Sequence, residues 1–276
     1  MEHWICATCG AQYAESEKPP AECPICLDQR QYLGANGQQW TTLASMQREN
    51  YRNLFTQEEP RLTGIVTEPS FAIGQRALLV QTDHGNVLWD CISYLDEATV
   101  EAVQALGGIA TITASHPHLY GSMIDWAERF GAAIYLHEAD RQWVMRPDPR
   151  ITFWSGETHA LPGDITLVRL GGHFPGSTVL HWPAGVEGRG ALLTGDTIYV
   201  VADRAWVSFM YSYPNLIPLP AQKIRHIRDT IAPYRFDRLY AGFAERVVRA
   251  DASAAVQRSA ERYLKAIEEG LEGETP

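Results

Sequence analysis

Ile109-Ala110-Thr111-Ile112-Thr113-Ala114-Ser115-His116-Pro117-His118 joins a buried apolar run to a pair of histidines. Residues 109–114 form a short apolar, β-branched run set off by Gly107-Gly108, the pattern of a buried strand. The run delivers two histidines, spaced His-x-His, at its C-terminal end, where a strand is well placed to present them to a site. Upstream, residues 62–66, 77–82 and 86–90 read as strands, the last two joined by the tight-turn signal Asp83-His84-Gly85. Residues 95–106 carry helical spacing and stop at the glycine pair. Downstream, a helix over 122–130, a strand over 133–136 and a helix over 138–145 alternate in the way that forces crossovers onto a sheet.

A second set of strands is expected at 165–170, 178–182 and 191–194, followed by a helix over 221–231, a strand over 237–241 and a long amphipathic helix over 250–271. The order describes an α/β fold of two mixed sheets packed face to face with helices outside. No internal repeat interrupts it.

Composition bounds the function. With 276 residues, 45% of them hydrophobic, the chain can bury a full core. Its 23 Lys plus Arg against 33 Asp plus Glu leave a net charge of −10, which repels polyanions, so nucleic acid is not an expected partner. The first residues lack a basic segment followed by an apolar one, and no uninterrupted apolar run reaches spanning length, so neither leader nor membrane partner is expected and a cytoplasmic location is. A small-molecule substrate is the expected partner, with a homo-oligomer left open.

Four of the five cysteines fall in the first 26 residues. Cys6-Ala7-Thr8-Cys9 and Cys23-Pro24-Ile25-Cys26 are two Cys-x-x-Cys knuckles, each able to give two thiolates to one tetrahedral metal. A redox dithiol would need one such pair at a helix start, and not two facing each other. Residues 1–40 are short of aliphatic runs and rich in Cys, Pro and Gly, as in a module held together by metal. The segment also resembles the rubredoxin-like module of rubrerythrins, which leaves iron beside zinc as the ion, since a tetrahedral sulfur set accepts either. The polar stretch 41–61 reads as a connecting segment with one helix, and residues 62–276 as the large domain. Cys91, after Val87-Leu88-Trp89, reads as a buried small hydrophobe.

Beyond His116 and His118, a Gly-flanked His173 lies in Gly171-Gly172-His173-Phe174-Pro175-Gly176, and Asp196 ends a strand in Leu193-Thr194-Gly195-Asp196. Three imidazoles and a carboxylate suit zinc or ferrous iron. The ordered series Asp90, His116-Pro117-His118, Gly172-His173 and Gly195-Asp196 resembles the metallo-β-lactamase superfamily over roughly residues 62–276. That resemblance implies an αββα sandwich with a metal site at one edge, held by His116, His118 and His173, with Asp196 as a fourth ligand or a base. It also implies a supporting role for Asp90, which would orient the metal-side loops by hydrogen bonds.

Departures from the family pattern are as informative. The pattern His-x-His-x-Asp-His would place second-metal ligands at 120 and 121, where this chain has Tyr120 and Gly121. Where the family ends a strand in Gly-His, this chain has Gly242-Phe243. A mononuclear site is therefore expected, able to hydrolyse an ester, thioester or lactone but without the second cation of a two-metal phosphodiesterase. Tyr120 is either a hydrogen-bond donor to a developing oxyanion or a packed aromatic filling the vacated space. Residues 206–213, rich in aromatics and Met, either line a pocket or cover the core. His84, His159, His181 and His226 lack ligand spacing and read as ordinary surface or packing residues. Two alternatives to hydrolysis remain: an iron oxidoreductase like the persulfide dioxygenases, and a metal-binding protein without turnover.

Overall fold

A computed structural model describes residues 1–269. The first sheet has seven strands in chain order, Arg52–Glu59, Leu62–Glu68, Arg76–Val80, Val87–Trp89, Thr111–Thr113, Ala133–His137 and Ile151–Trp154. Its first four strands form an antiparallel meander, and the rest are parallel, because helix Glu97–Ala105, helix Met123–Phe130 and the 3-10 helix Glu138–Trp143 carry the chain back between them. The second sheet has six strands, Thr158–Leu161, Ile165–Arg169, Thr178–Trp182, Ala191–Gly195, Arg238–Ala241 and Val247–Val248. Helix Ala221–Ile231 precedes the parallel strand Arg238–Ala241, and helix Ala252–Glu268 closes the described chain.

Alternation along each strand builds the layers. Leu78, Val80 and Trp89 face Leu167, Leu180 and Leu193 in the core between the sheets. Their neighbours Ala77, Leu79 and Leu88 face Val100, Val103 and Ile124 of the outer helices, and Val168, Val179 and Leu192 face Ile224, Ile227 and Val256 on the other side. The result is the expected αββα sandwich. The end of the last expected helix, at 271, lies outside the described residues, as does the end of the large domain.

Two expectations are corrected. The helix expected over 138–145 is a shorter 3-10 helix, Glu138–Trp143, after which Val144 is extended. Residues 41–61 are not a connecting segment: Trp40–Thr42 pairs with Trp4–Cys6 to close the N-terminal module, Leu43–Arg48 is the expected helix, and Arg52–Glu59 is the edge strand of the first sheet. Its alternating polar sequence, facing solvent on one side, hides the strand period among charges. Strands Ile151–Trp154 and Thr158–Leu161, each four residues long, also lie outside the sequence reading.

The module leans on the sandwich through polar contacts. The Gln12 amide donates to the Asp125 carboxylate at 2.6 Å, Arg146 donates to the Gln12 side chain at 2.5 Å, and the Ser93 hydroxyl donates to the Gly10 carbonyl at 2.7 Å. No helix among the described residues is long and apolar enough to cross a membrane. Replacing Leu180, fully buried between the sheets, with Ala is expected to lower stability by about 2–5 kcal/mol in urea unfolding.

Candidate metal centre

Every ligand candidate of the large domain sits just past a strand end. His116 and His118 follow Thr111–Thr113 through a short 3-10 turn at Pro117–Leu119. His173 follows Ile165–Arg169, and Asp196 follows Ala191–Gly195. All four are buried, and their ligand atoms lie within 4.8 Å of one another. Nε2 of His173 stands 3.4 Å from Nδ1 of His118, and Nε2 of His116 stands 3.6 Å from Oδ2 of Asp196. Donor atoms about 2.0–2.1 Å from a tetrahedral zinc are about 3.3–3.4 Å apart, so the spacing fits a single ion.

Supporting groups fix which nitrogen faces inward. The Met210 carbonyl accepts from Nδ1 of His173 at 3.3 Å, which leaves Nε2 as the lone pair. Ser115 Oγ bonds Nδ1 of His116 at 2.9 Å, and Nε2 of His116 and Oδ1 of Asp196 are buried without a hydrogen-bond partner among the described residues. Buried polar atoms left bare in a polar cluster are what an ion would satisfy. Asp90 takes its expected place: its Oδ1 accepts the Ser115 amide at 2.7 Å. Burial pushes the Asp90 carboxyl up to about 8.

The missing second-metal ligands have a steric reason at one position. Gly121 has φ +52°, and a Cβ there would lie 2.8 Å from the backbone of Cys91 and Ile92, so the chain at this point excludes a histidine. Phe243 lines the cavity above the site and meets Tyr199 edge-on at 5.9 Å. Among the described residues, the metal-capable clusters are this one and the four cysteines.

Tyr120 is a correction. It packs in the core beside Met123 and Trp126, is buried, and does not line the cavity over the histidines, so the packed-aromatic reading stands and the oxyanion role falls. Tyr199 and Tyr213 do line that cavity, the Tyr213 hydroxyl donating to the Asp196 carbonyl at 3.0 Å. Both readings of residues 206–213 apply in part, since Val207 and Phe209 enter the core while Tyr213 lines the cavity. Cys91 is in the core, as expected. His84 and His226 are exposed, and His181 is spent on the Arg235 carbonyl.

In the module, Sγ of Cys6 lies 3.6 Å from that of Cys26, and Sγ of Cys9 lies 3.7 Å from that of Cys23. A tetrahedral site with metal–sulfur bonds of about 2.3 Å has edges of about 3.8 Å, so these four buried thiols also fit one ion. Hydrogen bonds from Cys23 and the other thiols hold Cys6 far below the ordinary thiol range. Thr8, inside the first knuckle, and Arg30, Gln31 and Tyr32, after the second, line the cavity with His118, His173 and Asp196. That cavity is about 470 Å³. Arg30 carried no signal in the sequence, because it lies 143 residues from His173, whose carbonyl it binds.

A protein of Bacillus subtilis (strain 168), YmaE, shares 53% identity over 272 residues, spanning 98% of this chain and 99% of its own. The chain belongs to the YmaE family. Its fold is that of the metallo-β-lactamases: the DIM-1 metallo-β-lactamase superposes with a TM-score of 0.58 at 14% identity, over 77% of this chain and 98% of the other. The Rm3 metallo-β-lactamase superposes with a TM-score of 0.51 at 17% identity, over 78% and 91%. No family model matches the chain.

Electrostatics prepare the site for a cation. Burial, reinforced by the neighbouring imidazoles and Arg30, holds His116 and His118 well below the usual imidazole range, and burial lowers His173 to about 4. All three are neutral at pH 7. Burial raises Asp196 to about 7, so a cation must displace a proton from its carboxyl below that pH. Metal affinity at this site is therefore expected to fall about tenfold per pH unit below 7, through one proton, until His173 also protonates near 4. Competition titration against a chelator over this range, with the cysteine centre already filled, measures the slope, and Asp196→Asn should flatten it.

Proposed function

We propose that the chain is a mononuclear metal-dependent hydrolase of a small ester, thioester or lactone. The observation that carries the reading is the convergence of three neutral imidazoles and one carboxylate, of which His118, His173 and Asp196 line a cavity of about 470 Å³, a size that suits a small molecule. His116, His118, His173 and Asp196 would hold the ion. A zinc ion in such a site lowers the pKa of a bound water toward about 7 and polarises a carbonyl oxygen.

The protein's own residues supply the rest. Asp196, whose Oδ2 stands 3.6 Å from Nε2 of His116 and whose Oδ1 has no hydrogen-bond partner among the described residues, would hold the ion through one oxygen and accept a proton with the other. Tyr199, whose hydroxyl burial keeps protonated, is the donor for charge developing on the substrate oxygen. Ile73, Pro214 and Phe243 give the cavity an apolar side that excludes water from an acyl group. The absence of ligands at 121 and 243 argues against a two-metal phosphodiesterase.

A second reading, an iron-dependent oxidoreductase, is favoured by one observation: the cysteine centre abuts the same cavity through Thr8 and Arg30, and both donor sets accept iron as well as zinc.

The test uses anoxically purified protein loaded with zinc or with Fe(II). The zinc form should hydrolyse p-nitrophenyl acetate, acetylthiocholine or dihydrocoumarin, fall to background with His116→Ala, and leave bis-p-nitrophenyl phosphate intact. Oxygen uptake with a persulfide by the iron form, with no hydrolysis by the zinc form, would instead support the oxidoreductase. Inertness of both forms would leave a binding protein.

A further inference from the structure

The loop that follows the second knuckle grips the loop that carries His173. Arg30 donates from Nε to the His173 carbonyl at 2.5 Å and from Nη1 to Asp28 at 2.6 Å. Its guanidinium lies between two rings, 4.3 Å from the centre of Phe174 and 4.4 Å from that of Tyr211. Its side chain is only 12% exposed. Its backbone carbonyl accepts from the Ser212 hydroxyl at 3.1 Å, in the strand Met210–Ser212 whose Met210 carbonyl fixes the His173 ring. Asn215 adds two bonds, to the carbonyls of Gln29 at 2.9 Å and Gln31 at 3.1 Å.

The same loop is an extension of the knuckle. Turns run without a break from Cys23 to Gln31: the Cys26 amide donates to the Cys23 carbonyl, that of Asp28 to Pro24, and that of Gln31 to Asp28. Arg30 thus touches His173 at its carbonyl and, through Ser212, the strand that orients its ring, while its own position is set four residues from a cysteine ligand.

We propose that Arg30 is a positioning residue for His173 and couples the two metal centres, so that an ion among the cysteines raises the affinity of the histidine site for its own ion. The inference rests on the reading that the histidine cluster holds a metal. Without an ion, four buried thiols that share protons no longer fix the knuckle, and the Asp28–Arg30 anchor is freed with it. His173, which is 1% exposed, then loses the donor to its carbonyl, and a ligand displaced by a fraction of an ångström binds more weakly. Linkage makes the effect reciprocal: filling the histidine site must tighten the cysteine site by the same factor.

The full chain, with zinc in the cysteine centre and the histidine centre stripped, is titrated with Co(II) against a competing chelator. Arg30→Ala should weaken Co(II) binding about 10- to 100-fold and shift its visible d–d bands. Arg30→Lys should recover only part, since an ammonium cannot hold a carbonyl and Asp28 while stacking on two rings. Asp28→Asn, which removes only the anchor, should give a smaller loss. In the unmutated protein, a chelator should extract zinc from the cysteines more slowly when the histidine centre is filled, and Arg30→Ala should abolish the difference. Wild-type Co(II) affinity and spectrum in Arg30→Ala, whatever its thermal stability, would overturn the coupling and leave Arg30 as an adhesive contact. Failure of the unmutated chain to bind Co(II) at the histidines would instead overturn the metal reading itself, and the coupling with it.

Discussion

The two sheets are tied to each other at Ser115, and the site depends on that tie. The Thr178 amide, at the start of a strand in the second sheet, donates to the Ser115 carbonyl at 2.9 Å, while Asp90, just past the strand Val87–Trp89 of the first sheet, accepts the Ser115 amide at 2.7 Å. Ser115 therefore bridges strand ends from both layers, and the next residue is His116. Gly195 allows the approach: it has φ +55°, and a Cβ there would stand 2.1 Å from the Ser115 hydroxyl. Because strands end together at this edge, residues 116, 118, 173 and 196 meet although they lie far apart along the chain.

A cluster so placed is costly without its ion. Three imidazoles and a carboxyl are buried together, and burial moves each toward its neutral form. Neutral imidazoles are the form a cation requires, so the same desolvation that penalises the empty site prepares it for metal. The large hydrophobic cores on both faces of the sandwich supply the stability that lets such a cluster persist.

The N-terminal module gains little from apolar burial of its own. Its core consists of the four cysteines with Ala11, Tyr13 and Ile25, against Leu33 and Trp40 of the module and Trp143 and Met145 of the sandwich. Its seat combines apolar contact, Ile5 clustering with Tyr94 and Phe71 of the sandwich, with directional contacts, Gln12 with Asp125 and Arg146 on one side and Arg30 with His173 on the other. Directional bonds specify orientation more sharply than apolar area does. This is why a small module can form one wall of the cavity.

The two-layer α/β order and the candidate ligands are legible in the chain alone. Its periodicities of 2 and 3.6 mark the buried strands and outer helices, and the spacings Cys-x-x-Cys and His-x-His declare chelation because ligands close in sequence need no tertiary help to share an ion. Edge strand Arg52–Glu59 escaped because a strand exposed on one face resembles a polar linker, and Tyr120 was undecidable because the direction of a side chain at a turn depends on what packs around it. Only the tertiary structure decided where the module docks, that Arg30 reaches His173, and that Tyr199, Tyr213 and Phe243 face the cavity. Those relations join residues from separate elements, 143 positions apart for Arg30 and His173, through single hydrogen bonds and ring contacts, which leave no period or spacing in the chain to be read.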